Sequence, residues 1–211
     1  KVVRLGDIIA YHNETTVDWF GAFLQGKYDA EKFNLYGMGG ISTIAYTYQD
    51  HFSVEKEVVE ADAITSFQVK GGGRYNLDDR LSAFANIGYV QKPPILDNVI
   101  DYDGNVSQNP DNEKFTSFEI GGEYGSELVA IKGSYYNTQW QDRNLTKSVS
   151  TGQGSSGDTD IIYLTGVNQS HSGVEIESKI ALHELVDLDV AVSVGDWYFD
   201  GDAKGDYTEM E

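Results

Sequence analysis

The chain has 211 residues, 34 of them acidic and 15 basic, giving a formal net charge of −19. Cysteine is absent, which excludes a disulfide framework, thiolate metal sites and cysteine nucleophiles. The charge argues against a nucleic-acid partner, whose phosphates need clustered Lys and Arg. The length fits one domain of generous size or two small ones. No run approaches 18 consecutive apolar residues, so no transmembrane helix is expected, and a signal peptide is expected to be absent or already removed. Four histidines, His12, His51, His171 and His183, lie far apart with no metal-ligand spacing. Glycine at 23 and tyrosine at 14, against 3 prolines, suit β-structure with close backbone approaches.

Helical periodicity is nearly absent, and alternation with period two recurs along the chain. Residues 16–28 and 33–48 read as strands, but both faces carry aromatics and neither face can be assigned. Next, Phe67, Val69, Gly71, Gly73 and Tyr75 oppose Ser66, Gln68, Lys70 and Arg74. In 81–90, Leu81, Ala83, Ala85, Ile87 and Tyr89 oppose Ser82, Asn86 and Gly88, with Phe84 as the exception. The clearest case is 115–124, where Phe118, Ile120, Gly122 and Tyr124 oppose Ser117, Glu119, Gly121 and Glu123. Then Val129, Ile131, Gly133 and Tyr135 oppose Lys132, Ser134 and Thr138. Val174, Ile176 and Ile180 oppose Glu175, Glu177 and Lys179. Finally, Leu188, Val190, Val192 and Val194 oppose Asp189, Ala191, Ser193 and Gly195.

The connections alternate in length. Short ones are expected at Asp29–Lys32, Asn76–Arg80, Gly125–Glu127 and Leu182–Asp187, and long polar ones at about 49–62, 91–114 and 141–162. Both chain ends are polar as well. About eight strands therefore run as hairpins with tight turns at one end and long loops at the other. A β-sandwich scatters loop lengths between both ends, whereas transmembrane barrels put short turns on the periplasmic side and long loops outside. Strands of about 9–11 residues suffice to cross a tilted path through the bilayer. Tyr75, Tyr89, Tyr124 and Tyr135 lie on apolar faces near strand ends, where aromatic girdles belong. The expected fold is all-β: an antiparallel up-and-down transmembrane barrel, with polar faces turned to a wet interior.

Several strings mimic chemical motifs. Gly152-x-Gly154-x-x-Gly157 fits the dinucleotide fingerprint but lacks the flanking strand and helix that the chemistry needs, so a flexible loop is expected. Asp101-x-Asp103-Gly104-Asn105 and Asp200-Gly201-Asp202 resemble pieces of calcium loops without the closing bidentate Glu, and read as solvated acidic loops. Glu175 with Glu177, and Glu119 with Glu123, share strand faces. Side chains of one strand stand parallel and cannot flank a glycosidic bond from both sides, so they read as lining of a hydrated lumen. Asn13, Asn144 and Asn168 head Asn-x-Ser/Thr strings, which carry no meaning outside eukaryotic secretion. No catalytic, cofactor-binding or metal residue is assigned, and no enzyme activity is expected.

The residues resemble the TonB-dependent receptors, active transporters of the bacterial outer membrane, over nearly the whole chain. The resemblance is carried by Trp19-x-Gly21-x-Phe23-x-Gln25-Gly26-x-Tyr28, Gly71-Gly72-Gly73-Arg74-Tyr75-Asn76-Leu77 and Phe84-Ala85-Asn86-Ile87-Gly88-Tyr89. It continues in Asn112-Glu113-Lys114, Ser117-Phe118-Glu119-Ile120-Gly121 and Tyr135-Tyr136-Asn137-Thr138-x-Trp140-x-Asp142-Arg143. His171-Ser172-Gly173-Val174-Glu175-Ile176-Glu177 and Gly195-Asp196-Trp197 resemble later strands of the same family. Single pieces are weak, and their order and spacing together are specific.

The resemblance implies a 22-stranded barrel plugged by an N-terminal globular domain, a design with a filled lumen. Residues 1–211 would be a middle-to-late fragment of that barrel, with the plug domain, TonB-binding segment and terminal strands absent. It further implies import of a scarce solute, a siderophore, cobalamin or an oligosaccharide, driven by the TonB complex. Implied partners are outer-membrane lipids, the TonB complex through the missing N-terminal part, that small-molecule or oligosaccharide ligand and, as an open option, a surface lipoprotein. No ligand-binding residue carries over. Glu113-Lys114 and Asp142-Arg143 sit where strands meet loops, and a structural role is expected of them. Two alternatives stand beside the transporter: a small closed outer-membrane barrel serving as adhesin or anchor, and a soluble β-rich glycan-binding module.

Overall fold

The computed structural model describes residues 3–9, 12–52, 57–101, 104–107, 110–150, 159–201 and 204–208. Its strands are β1 (Asn13–Asp29), β2 (Phe33–Asp50), β3 (Val58–Glu60), β4 (Ile64–Asn76) and β5 (Leu81–Lys92). They continue as β6 (Glu113–Gly125), β7 (Val129–Ser150), β8 (Thr159–His183), β9 (Val186–Asp200) and β10 (Lys204–Thr208). All lie in one sheet, and each pairing is antiparallel. β3 continues β4 along the flank of β2, since Thr47 faces Glu60 and Ile44 faces Ile64. β10 likewise continues β9 along β8, with Asn168 facing Asp200 and Thr165 facing Lys204. The break before β10 falls at Gly201, whose φ of 87° is open to glycine. The meander thus has eight strands in space, two of them interrupted.

The tight turns fall as expected and are fastened locally. Asp78 Oδ1 accepts hydrogen bonds from the backbone N–H groups of Arg80 (2.8 Å) and Leu81 (2.9 Å), an Asx-type closure. Ser126 Oγ accepts from Val129 N at 3.1 Å. At the opposite end the expectation of three long loops needs correction. Residues 93–112 connect β5 to β6, and the described ones among them form a short 3-10 turn, Leu96–Asn98, and an isolated bridge between Ile100 and Val106. The ladder, however, enters the other two regions: β3 lies in 49–62, while β7 runs to Ser150 and β8 starts at Thr159. These extensions mix polar residues with apolar pairs such as Val58-Val59 and Ile161-Ile162 on both alternating sets, so they carry no half-buried periodicity. A ladder standing in water needs none.

Directly paired residues of a ladder point to the same side, which fixes two faces. One face carries Arg74, Asn86, Glu119, Glu123, Lys132, Glu175 and Ser193. The other carries a row, Tyr28, Leu35, Gly73, Ala85, Ile120, Tyr135, Val174 and Val194, with no polar member save the Tyr hydroxyls. On β1 this apolar stretch continues upward through Leu24 and Ala22 to Phe20. On β9 it continues downward through Val192 and Val190 to Leu188, and Asp196 stands above it. The apolar band therefore crosses the ladder diagonally, as strands tilted against a flat slab require. Tyr75 and Tyr124 mark its lower margin, and Tyr89 and Tyr135 its upper one.

The faces of β1 and β2, unassigned from sequence, follow from register. Trp19 and Phe23 share the polar face, while Phe20, Leu24 and Tyr28 share the apolar one. Aromatic rings stand on the polar face because glycines lie flat beside them. A Cβ on Gly121 would stand 2.5 Å from Phe84 Cζ and 2.5 Å from the Gly133 carbonyl oxygen. Tyr36 lies over Gly72 in the same manner, and the Tyr136 hydroxyl would meet a Cβ on Gly173 at 2.8 Å. Phe84, the exception to the alternation, is thus a ring laid over a neighbouring strand, with the Lys132 ammonium 5.2 Å from its centroid.

The sheet has no second layer among the described residues. Ile120 is 58% exposed, Val192 55% and Ile87 68%, values that a packed sandwich core does not tolerate. Among the described residues the buried apolar cluster lies above the band, where residues 94–101 fold back over the polar face. There Val99 and Ile100 pack on Tyr46, Tyr48 and Ala61, and the Tyr46 hydroxyl donates to the Pro94 carbonyl at 3.0 Å. Burial lifts the Tyr46 phenol above its ordinary value.

Candidate ligand-facing inner wall

The polar face is organised as cross-strand ion pairs and amide bridges. At its lower end Arg74 Nη1 meets Glu123 at 2.6 Å, and Lys27 meets Asp29 at 3.0 Å. Higher up, Asn86 donates to Glu119 at 2.9 Å and accepts from Tyr36 at 3.2 Å; Lys132 stands 4.0 Å from Glu119. The paired glutamates singled out in the sequence do share this face. Glu119 and Glu123 are each tied to a cation, and Glu175 is 3.5 Å from the Ser193 hydroxyl. Their chemistry is that of a hydrated wall. Cavities open on this side; one of about 810 Å³ lies at the tight-turn end beside Arg74, Glu123 and Lys132.

A denser constellation lies at the upper end, where β5 to β9 meet the loops. Glu113 is 2% exposed, and a carboxylate so buried must be compensated. Lys92 Nζ reaches its two oxygens at 3.2 and 3.3 Å, and Trp140 Nε1 donates at 3.0 Å. The Asn144 N–H adds a 3.4 Å contact. Trp140 is thereby held against Phe115, ring centroids 4.5 Å apart, and the Arg143 guanidinium lies 4.0 Å over the Trp140 ring. Arg143 Nη1 donates to Gln169 Oε1 at 3.1 Å, and His171 Nε2 stands 3.2 Å from that same oxygen. An amide oxygen only accepts, so Nε2 carries the proton. Trp197 follows, 6.2 Å from His171 by centroid, donating to the Tyr136 hydroxyl at 3.1 Å.

Arg143 reaches this face through a register change. Simple alternation from Trp140 would turn it outward. β7 instead carries a bulge between Trp140 and Arg143, with Asp142 at φ 55°, a left-handed conformation that Asp tolerates better than most residues. The displaced Asp142 N–H is taken up by the Asn168 side chain at 3.1 Å, and its carboxylate meets Lys114 at 2.6 Å. A second irregularity follows between Arg143 and Leu145, opposite Gly166 at φ 70°. Glu113, Lys114 and Asp142, for which a structural role is expected, are engaged in these contacts with Lys92, Trp140 and one another. The inward face of Arg143 is what alternation does not give, because it carries no signal for a bulge; only an Asp and a Gly at left-handed positions hint at it.

The acidic loop strings resolve in part. Asp101 accepts from Asn105 N and Asn105 Nδ2 at 2.7 and 2.9 Å, which closes a turn around Gly104. Asp103, Asp202 and the Gly152–Gly157 string lie outside the described residues. No group of three metal-ligating side chains converges among the described residues.

An open antiparallel meander with an apolar band on one face, a charged wall on the other and tight turns at one end is the wall of a membrane β-barrel. The TonB dependent receptor-like β-barrel family model matches residues 4–209. The chain belongs to that family, whose members are outer-membrane proteins of Gram-negative bacteria. No curated protein matches the chain by sequence. Among solved structures it is similar to the copper transporter OprC, at 18% identity and TM-score 0.62 over 87% of this chain and 29% of that one. It is also similar to the ferric yersiniabactin uptake receptor FyuA of Yersinia pestis, at 18% identity and TM-score 0.60 over 90% and 28%. The alcaligin outer-membrane receptor FauA of Bordetella pertussis matches at 16% identity and TM-score 0.61 over 89% and 31%. The chain thus spans about 30% of the length of these proteins.

Proposed function

We propose that residues 1–211 are part of the barrel domain of a transporter that imports a scarce solute through the outer membrane with energy from the TonB complex. The solute class is a siderophore, cobalamin or an oligosaccharide. The observation that carries this reading is the single-layered sheet: a charged, bridged wall on one face and a diagonal apolar band on the other, with no layer on the band among the described residues. Lipid covers such a band, and a plug and a solute path face such a wall. The partners in this reading are outer-membrane lipids, the TonB complex through an N-terminal part outside this chain, the solute and, as an option, a surface lipoprotein.

A small closed barrel would need β1 hydrogen-bonded to β9, and no such pairing occurs among the described residues. In hydrocarbon an open edge leaves a row of backbone groups unsatisfied, so further strands are proposed to pair at β1 and β9. A soluble glycan-binding module would need a second layer over the apolar face. The test uses cells lacking the full-length protein, supplied in turn with labelled ferric siderophores, cobalamin and oligosaccharides. The reading expects protonophore-sensitive uptake of one class to disappear and to return with the gene. Uptake of every class unchanged by the deletion would overturn it.

A further inference from the structure

We propose that the upper ends of β7 and β8, with β10, form a paddle that pivots as one body on three left-handed residues, Asp142, Gly166 and Gly201. Two other described residues with left-handed φ, Gly6 and Gly104, lie outside the strands. These three belong to the ladder and stand side by side: Asp142 in β7 (55°), Gly166 in β8 (70°) and Gly201 at the break between β9 and β10 (87°). Register places them on one line, since Arg143 faces Val167 and Asp200 faces Asn168. The Asn168 side chain joins the line. Its Oδ1 accepts from Asp142 N at 3.1 Å, and its Nδ2 lies 3.9 Å from where a Cβ on Gly201 would stand. Above the line regular pairing resumes. Residues 145–150 of β7 face 159–164 of β8, and β10 faces 161–165. At about 3.3 Å per residue, this body stands roughly 20 Å tall.

The two glycines are there for torsion. A Cβ on Gly166 would meet nothing within 4 Å, and one on Gly201 only the Asn168 amide. Gly121 and Gly173, by contrast, are held to glycine by neighbouring rings and carbonyls. What a side chain forfeits at Gly166 and Gly201 is therefore the left-handed backbone, not space. Hinges are a few residues that absorb a φ/ψ change between rigid bodies. Three of them in line across adjacent strands let the strands bend together, where one alone would break the ladder. The neck is narrow as well: β6 starts at Glu113, and β7 has no strand on that side above Gln141 among the described residues. Side-chain clamps sit at or below the line, with Lys114 on Asp142, Arg143 on Gln169 and Trp140 on Glu113. They hold the wall while the paddle turns. Over β2 the same end of the sheet is built for the opposite. There Val99 and Ile100, 1% and 2% exposed, brace Tyr46, Tyr48 and Ala61 in a second layer. One side of the mouth is fixed and the other swings.

The experiment measures distances between pairs of spin labels on the full-length protein in lipid nanodiscs. Residues 1–211 contain no cysteine, and any cysteine outside them is replaced. Lys147→Cys with Asp196→Cys spans paddle and wall, and Asp18→Cys with Asp196→Cys lies wholly on the wall; all three positions are exposed. Freezing keeps the μs–ms excursions of a hinge as a spread of distances. The paddle–wall spread should be at least about twice the wall–wall spread, as a hinge between two bodies requires. Hydrogen exchange should find the amides of 145–150 and 159–165 protected, as paired strands are. Gly166→Val combined with Gly201→Val denies the left-handed backbone, and should narrow or displace the paddle–wall distances while leaving the wall–wall ones unchanged. Gel migration before and after boiling checks assembly. If the valine pair does not assemble, Gly166→Ala with Gly201→Ala restrains the same torsions with less bulk and is read in the same way. A paddle–wall spread no wider than the wall–wall one, unprotected paddle amides, or an assembled double variant with the parent's distances would overturn the proposal. No uptake is measured, so such a failure leaves import standing, and a failure of import leaves the pivot standing.

Discussion

Val192→Arg against Ser193→Arg tests the assignment of faces at adjacent residues. Val192 lies on the apolar face opposite Ile176, between Val190 and Val194 on its own strand. An arginine at the middle of a lipid-facing band costs about 2–4 kcal/mol. At 1.4 kcal/mol per factor of ten, that is roughly a 30- to 700-fold loss in the folding equilibrium. Ser193 lies on the wall opposite Glu175, 3.5 Å from its carboxylate. An arginine there gains a partly solvated ion pair, and its net effect should stay within about 1 kcal/mol. The assay is urea unfolding of the full-length protein refolded into lipid vesicles, with the assembled fraction read from gel migration before and after boiling. Equal midpoints for the two variants, or a larger loss for Ser193→Arg, would refute the assignment and the alternation on which it rests.

Gly121→Val should destabilise by about 1–3 kcal/mol, as overpacking does, since its Cβ would meet both Phe84 and the Gly133 carbonyl. The same urea assay reads it, and adding Phe84→Ala should restore only part because the backbone contact remains. Lys92→Met removes the cation from buried Glu113; the expected loss is about 2–3 kcal/mol, below the value for a fully buried pair because Lys92 is half exposed, again by urea unfolding. Epitope tags at Asn105 and Asp78, probed on intact cells, should label at Asn105 only; labelling at Asp78 alone would reverse the topology. The raised Tyr46 pKa means that its contribution to stability is present below the ordinary tyrosine value of about 10 and is lost as pH rises through the higher folded value. Phenolate absorbance should show a late-titrating component that Tyr46→Phe removes.

Whatever follows from period two and from turn chemistry was legible in the residue order. Val190, Val192 and Val194 had to share one side of β9 and Ser193 the other, because adjacent strand residues point oppositely. Asp78 and Ser126 close their turns through local hydrogen bonds that need no distant partner. Alternation against connection length was enough to read a membrane barrel wall, and the resemblance of motifs such as Gly71-Gly72-Gly73-Arg74-Tyr75 pointed to its family. What depends on register needed the strand pairing itself. The faces of β1 and β2 were set by pairing Trp19 with Ile44 and Phe23 with Gly40, since aromatics on both sides leave the period silent. The extension of β7 to Ser150 was set by ladder hydrogen bonds to β8 that polar side chains do not announce. The inward turn of Arg143 was set by one extra residue at Asp142. A bulge reverses every face beyond it at the level of backbone torsion, and no pattern of hydrophobicity records that reversal.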